Sequence, residues 1–139
     1  MRFIDASVFI YAYLKPKTRL PNQVSEFKKS AKRIVTRLNE GEEAITTLIH
    51  ISEVSNILEA RFSYAQSVEV VSALLSKRSL EVVEPSLKNY LEAIEESRIQ
   101  GLGINDALAL LTMRHRGINE IYSFDSDFDK VQEVRRIVA

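Results

Sequence analysis

Asp5, Glu53, Asp106 and Asp125 are scattered along a chain of 139 residues, yet each lies at or within two turns of a change from one local pattern to the next. Carboxylates brought together repel, and their pKa values rise unless a cation neutralises them. A donor set made only of oxygen suits hard cations such as Mg²⁺ or Mn²⁺. Such ions keep water and bind phosphate oxygens, which points to phosphoryl chemistry with one or two ions. A metal-activated water then serves as the nucleophile, and no Ser, Cys or His nucleophile is needed. That agrees with a chain that has no cysteine and only His50 and His115. Thiolate catalysis, disulfides, iron–sulfur centres and zinc ribbons are excluded by the same count.

Taken singly, each acid has an ordinary account. Asp5 precedes a helical run and suits a helix cap. Asp106 suits the dipole at a helix start, and Asp125, Asp127 and Asp129 suit a turn. Glu53 fits such accounts less well, because Ile49 and Ile57 flank it at four-residue spacing and place it on an apolar stripe. Asp106 likewise shares its face with Leu110 and Met113. Two acids facing a core need a proton, a cation or donors. His50 and His115 read as structural.

The elements that must carry these groups alternate between short β-type runs and longer helical ones. Strands are expected at Arg2–Ile4, Ala44–Thr46, Leu80–Val83, Glu120–Ser123 and Arg136–Val138. Helices are expected at Ala6–Leu14, from Asn22 as a cap toward Gly41, and at Leu48–Ala60, Tyr64–Lys77, after Ser86, and at Ile104–Arg116. In the second helix Val24, Phe27, Ala31, Ile34, Val35 and Leu38 mark the core face. Tyr64, Val68, Val71 and Leu75 do so in the fourth, and Leu87, Tyr90, Leu91 and Ile94 in the fifth. Strands joined by helices demand parallel crossovers. The expectation is an α/β chain, a three-layer α/β/α arrangement with a parallel central sheet, in a single domain over residues 1–139. Ligands of such sheets lie beyond the carboxyl ends of the strands. Asp5 ends the first strand, Asp125 follows the fourth, Asp106 opens the helix that feeds the fourth, and Glu53 lies in the helix after the second.

Charge does not choose a partner: 19 basic residues balance 19 acidic ones. This excludes a globally basic nucleic-acid binder but leaves room for a local basic face. Asp5 interrupts the first apolar run, which therefore does not read as a signal peptide, and no stretch is long enough to span a bilayer. A cytoplasmic protein without membrane contact is expected.

At four places the chain resembles the PIN-domain family, and within it the VapC-like toxin ribonucleases of type II toxin–antitoxin systems. These are Phe3-Ile4-Asp5-Ala6-Ser7-Val8, Ile51-Ser52-Glu53-Val54, Gly103-Ile104-Asn105-Asp106-Ala107-Leu108, and Tyr122-Ser123-Phe124-Asp125-Ser126-Asp127-Phe128. The resemblance covers essentially the whole chain and implies a sheet of order 3-2-1-4-5. It also implies an Mg²⁺- or Mn²⁺-dependent endoribonuclease that cuts single-stranded or loop RNA and leaves 5′-phosphate and 3′-hydroxyl ends. Asp5, Glu53, Asp106 and Asp125 would be the catalytic metal ligands, Asp127 an auxiliary ligand, and Ser7 and Ser123 hydrogen-bonding supports. A small antitoxin protein and a homodimer are the partners it implies. The chain departs from the family pattern in an extended loop, Lys15–Pro21.

Lys15, Lys17 and Arg19 on that loop are the candidates for RNA phosphate contacts. Lys28, Lys29, Lys32, Arg33 and Arg37 form a second basic stripe, either a phosphate track, an antitoxin-facing surface or a solvated helix face. Tyr11 and Tyr13 suit either base stacking or the core. Other acid-edged parallel sheets match less well. A haloacid-dehalogenase phosphatase wants Asp-x-Asp where this chain has Asp5-Ala6-Ser7, and a receiver domain wants an Asp that Thr46-Thr47 does not supply. A PIN-domain nuclease of RNA maturation or decay, and a catalytically silent PIN-like scaffold, remain the alternatives.

Overall fold

A computed structural model describes residues 1–15 and 20–138 of the chain. Strands β1 (Arg2–Ile4), β2 (Ala44–Thr47), β3 (Leu80–Val83), β4 (Glu120–Tyr122) and β5 (Arg135–Ile137) form one sheet in the order β3-β2-β1-β4-β5. Every neighbouring pair is parallel, with Phe3 opposite Ile45 and Ile121. This is the three-layer class and the strand order expected. The helices are α1 (Ala6–Tyr13), α2 (Asn22–Asn39), α3 (Leu48–Arg61), α4 (Tyr64–Leu75), α5 (Leu87–Gln100) and α6 (Ile104–Arg116). A 3₁₀ turn covers Ser126–Lys130.

The two-residue period of the strands divides the core. Ile4, Ala44, Leu80 and Tyr122 point toward α1–α4, where Val8, Phe9, Ile34, Leu38, Val54, Leu58 and Leu74 bury against them. Phe3, Ile45 and Ile121 point the other way, onto Ala109 and Met113 of α6 and Phe128 of the 3₁₀ turn. Burying a Leu, Ile or Phe side chain contributes about 1.5–3 kcal/mol, so these two layers dominate stability.

Two expected core faces are only partly right: Val71 of α4 and Tyr90 of α5 pack against the core as expected, and their companions do not. In α4, Tyr64, Val68 and Leu75 are exposed, and Ser67 and Leu74 are buried instead. Ser67 is small enough to bring α4 against α3, where its hydroxyl donates to the Ser55 carbonyl at 3.4 Å. In α5, Leu87 and Leu91 are exposed, while Ala93 lies against Ala107 and Leu108 of α6. Close helix packing favours a small residue at the contact, and Val68, Leu75, Leu87 and Leu91 are turned outward. Asn22 is not a cap either: the helix already includes it, and Pro21 holds the cap position without a side-chain hydrogen bond.

The helix ends next to the sheet edge follow local rules. Thr47 caps α3 by accepting the His50 N–H. Ser86 and Asn89 make a reciprocal capping box at the start of α5. Gly101 and Gly117 end α5 and α6 in left-handed conformations, φ 67° and 66°, which glycine adopts without a Cβ clash. Among the described residues, no helix is long and apolar enough to cross a membrane.

Candidate functional site

Asp5 leaves β1 at its carboxyl end and is buried, with its N–H on the Tyr122 carbonyl of β4 at 3.0 Å. It occupies the cap position of α1, but its side chain makes no capping hydrogen bond. Two hydroxyls claim it instead: Ser7 Oγ donates to Oδ2 at 2.8 Å and Ser123 Oγ at 2.9 Å. The same hydroxyls accept backbone protons from the loop after β4, Ser7 from Phe124 N–H at 3.2 Å and Ser123 from Asp125 N–H at 3.0 Å. Each hydroxyl has one proton to give, so accepting from the loop directs that proton to Asp5. Both bonds fall on Oδ2, and among the described residues none falls on Oδ1.

One carboxylate oxygen from each of Asp106, Asp125 and Asp127 lies within 4.8 Å of the other two. Asp106 stands in the first turn of α6. Asp125 caps the 3₁₀ turn, its Oδ1 accepting the Asp127 N–H at 2.9 Å, so the ordinary turn account holds for one of its oxygens. Asp127 is half-exposed and pairs with Lys130 at 3.1 Å. Asp5 and Glu53 are outside this trio, but both act on it through charge. The Asp106 carboxyl is pushed up to about 7 by burial first, then by Asp5, Asp125, Glu53 and Asp127. Its neighbours are thus four acids, and Asp5, Glu53, Asp106 and Asp125 form no ion pair among the described residues.

Glu53 is half-buried on α3, but Ile57, expected to share a buried stripe with it, is 39% exposed. Burial raises the Glu53 carboxyl, a hydrogen bond from Asn105 lowers it, and the Asp5 charge raises it again. That bond, Asn105 Nδ2 to Glu53 Oε1 at 2.6 Å, joins α3 to the start of α6. Asn105 was legible only as part of a motif; the one sequence cue to a role is its place beside Asp106. His50 is buried and structural in its contacts: Thr47 Oγ1 lies 2.6 Å from Nδ1, and Phe3 meets the ring edge-on at 5.0 Å. Burial lowers the imidazole, opposed by Asp5 and the Asn105 main chain, while Nε2 makes no hydrogen bond among the described residues.

The proposed RNA-contact residues are only partly placed. Lys15 is exposed and borders a cavity of about 330 Å³ between α1, α3 and α4, lined by Tyr13, Leu58, Phe62 and Val70. Lys17 and Arg19 lie outside the described residues. In the α2 stripe, Lys28 Nζ donates to the Tyr11 carbonyl at 3.2 Å, tying down the end of α1, and Arg37 reaches the Tyr122 hydroxyl at 3.3 Å. Tyr11 packs edge-on against Phe27 and Phe124, both at 5.5 Å, as a core residue.

An all-oxygen cluster whose Asp106 carboxyl is pushed up by burial first and by the neighbouring acids after it fits a hard divalent cation. Residues 2–134 match the PIN-domain family model. The fold is similar to VapC20 of Mycobacterium tuberculosis, a sarcin–ricin-loop-cleaving toxin, with TM-score 0.74 and 21% identity over 97% of this chain and 99% of that one. It is also similar to a toxin–antitoxin complex from Klebsiella pneumoniae, with TM-score 0.68 and 16% identity over 97% of this chain and 96% of the other. For VapBC2 of Rickettsia felis, bound to a DNA fragment from its promoter, the TM-score is 0.65 and the identity 17%, covering 98% and 96% of the two chains. No curated protein sequence matches significantly.

Proposed function

The chain belongs to the PIN-domain family, and from that premise we propose that it is an Mg²⁺- or Mn²⁺-dependent endoribonuclease, the toxin of a toxin–antitoxin pair. The observation that carries this reading is the convergence of Asp106, Asp125 and Asp127 within 4.8 Å, with Asp5 and Glu53 acting on Asp106 through charge. Asp5, Glu53, Asp106 and Asp125 would hold one or two ions, with Asp127 auxiliary. Such an ion, when bound, supplies an activated water and offsets charge on the phosphodiester.

The chain's own residues do the positioning. Ser7 and Ser123 fix Asp5 through Oδ2, which leaves Oδ1 for a cation. Asp125 braces the loop with one oxygen on Asp127 N–H. Phe124, held by Ser7, packs at 4.8 Å against Phe27 and keeps that loop seated on the core. RNA is the substrate proposed, by analogy with the toxin relative described as cleaving the sarcin–ricin loop; a small antitoxin and a second copy of the chain are the proposed partners.

The test is cleavage of an end-labelled single-stranded RNA, and of a stem-loop RNA, with Mn²⁺ or Mg²⁺, with EDTA, and with the Asp5→Asn variant. Cutting only by wild type with metal supports the reading. Equal cutting in EDTA or by Asp5→Asn contradicts it.

A further inference from the structure

Glu53 differs from the clustered aspartates in being held by a neutral side chain that is itself held. Asn105 Nδ2 donates to Glu53 Oε1 at 2.6 Å, and the Tyr90 hydroxyl donates to Asn105 Oδ1 at 2.7 Å. An amide presents an acceptor at one end and donors at the other. With the tyrosine proton on its oxygen, Asn105 has only its NH₂ end to offer the carboxylate. The Tyr90 ring is held in turn, packed against the buried cluster of Ala93, Ala107 and Leu108. The connection runs from α5 through the first turn of α6 to α3, the elements that carry Tyr90, Asp106 and Glu53. It also occupies one oxygen of Glu53, while no donor among the described residues occupies the other.

Resting on the metal-dependent reading above, we infer that Tyr90 and Asn105 are positioning residues that hold Glu53 by Oε1 and so orient the carboxylate that would bind the cation. Neither touches the reacting phosphodiester. Partners that orient a metal-binding side chain usually affect affinity and turnover together. The Tyr90–Asn105 pair therefore acts through Glu53 and has no effect of its own when Glu53 cannot bind the ion.

Calorimetric titration with Mn²⁺ and RNA cleavage kinetics decide this on wild type, Tyr90→Phe, Asn105→Ala and Glu53→Gln, and on the first two changes combined with Glu53→Gln. Tyr90→Phe and Asn105→Ala are expected to lower Mn²⁺ affinity and kcat by roughly 10- to 100-fold with KM for RNA unchanged. In the Glu53→Gln background the same changes are expected to add nothing. Wild-type affinity in both single variants overturns the inference. So does a loss that persists in full beside Glu53→Gln, since that is a merely structural effect. If Asn105→Ala does not fold, Tyr90→Phe, which removes a single oxygen, decides alone. If wild type neither binds Mn²⁺ nor cuts RNA, the functional reading has failed, and the Asn105 side-chain amide signals in NMR still judge the relay. Protection from exchange in wild type that is lost in Tyr90→Phe supports it, and equal exchange in both overturns it.

Discussion

At the amino ends of the strands, Arg2 of β1 reaches Glu42 at 3.2 Å and Glu120 at 3.3 Å, and donates to the Tyr122 hydroxyl at 2.7 Å. Arg135 of β5 pairs with Glu120 as well, and the Glu120 carboxyl is held below its usual value, chiefly by that bond. Toward the carboxyl ends, Asp5, Glu53, Asp106 and Asp125 form no ion pair among the described residues. Asp106 has the other three and Asp127 as charged neighbours, and Arg136 acts on Asp125 through charge alone. There a carboxyl rises to about 7, where at the other end one is lowered. One sheet thus has an end whose charges are paired within the chain and an end where Asp5, Glu53, Asp106 and Asp125 form no ion pair among the described residues. Matching stabilises the fold; the unmatched end fits a site whose missing charge comes from outside.

The largest effects should come from the unmatched end. Asp125→Asn should leave less than about a hundredth of wild-type RNA cleavage, on the order of 3 kcal/mol of barrier, with an unchanged circular dichroism spectrum. A folded variant that keeps full activity would break the comparison there.

The next effect concerns stability and has a definite sign. The Asp106 carboxyl lies near 7 in the fold against an ordinary 3.8, so between these pH values the folded state binds more protons than the unfolded chain. Metal-free protein should be fully favoured by this group below about pH 4, lose stability as pH rises to about 7, and change no further above. Asp106→Asn should remove that dependence and raise stability at pH 8 by on the order of 2 kcal/mol. Urea unfolding of both proteins at pH 4.5 and pH 8 in EDTA checks this, and a variant less stable at pH 8 would speak against charge crowding. Mn²⁺ at about 100 times its Kd should stabilise wild type at pH 8 by about 2.7 kcal/mol, and Asp106→Asn much less.

The matched end should show the reverse, more weakly. Arg2→Ala should cost about 1 kcal/mol of stability, mostly the hydrogen bond to Tyr122, because its ion pairs are partly solvated. RNA cleavage should be unchanged. A large loss of cleavage with normal stability would mean that the two ends are not separate in function.

Much of this was legible in the chain because it depends on short-range pattern. The observed strand ends lie within a residue or two of those expected; they place Asp5 and Asp125, and the start of α6 places Asp106. The helical faces of α4 and α5 are legible only in part, Val71 and Tyr90 being core-packed and Val68, Leu75, Leu87 and Leu91 exposed. Periodicity finds an apolar stripe, but it cannot tell that Ser67 and Ala93 give closer helix contacts than Val68 and Leu91. Glu53 was singled out for a buried stripe that Ile57 does not complete, and what holds it is Asn105. A relay such as Tyr90–Asn105–Glu53 has no period and joins residues from three helices, so spacing gives no sign of it.

The most direct test of an unmatched carboxylate end is Mn²⁺ titration by calorimetry near pH 7.5 on wild type, Asp125→Asn and Arg2→Ala. Wild type and Arg2→Ala should bind with the same affinity and Asp125→Asn at least about tenfold more weakly. Binding that is absent from folded wild type, or equal in all three proteins, would contradict the account.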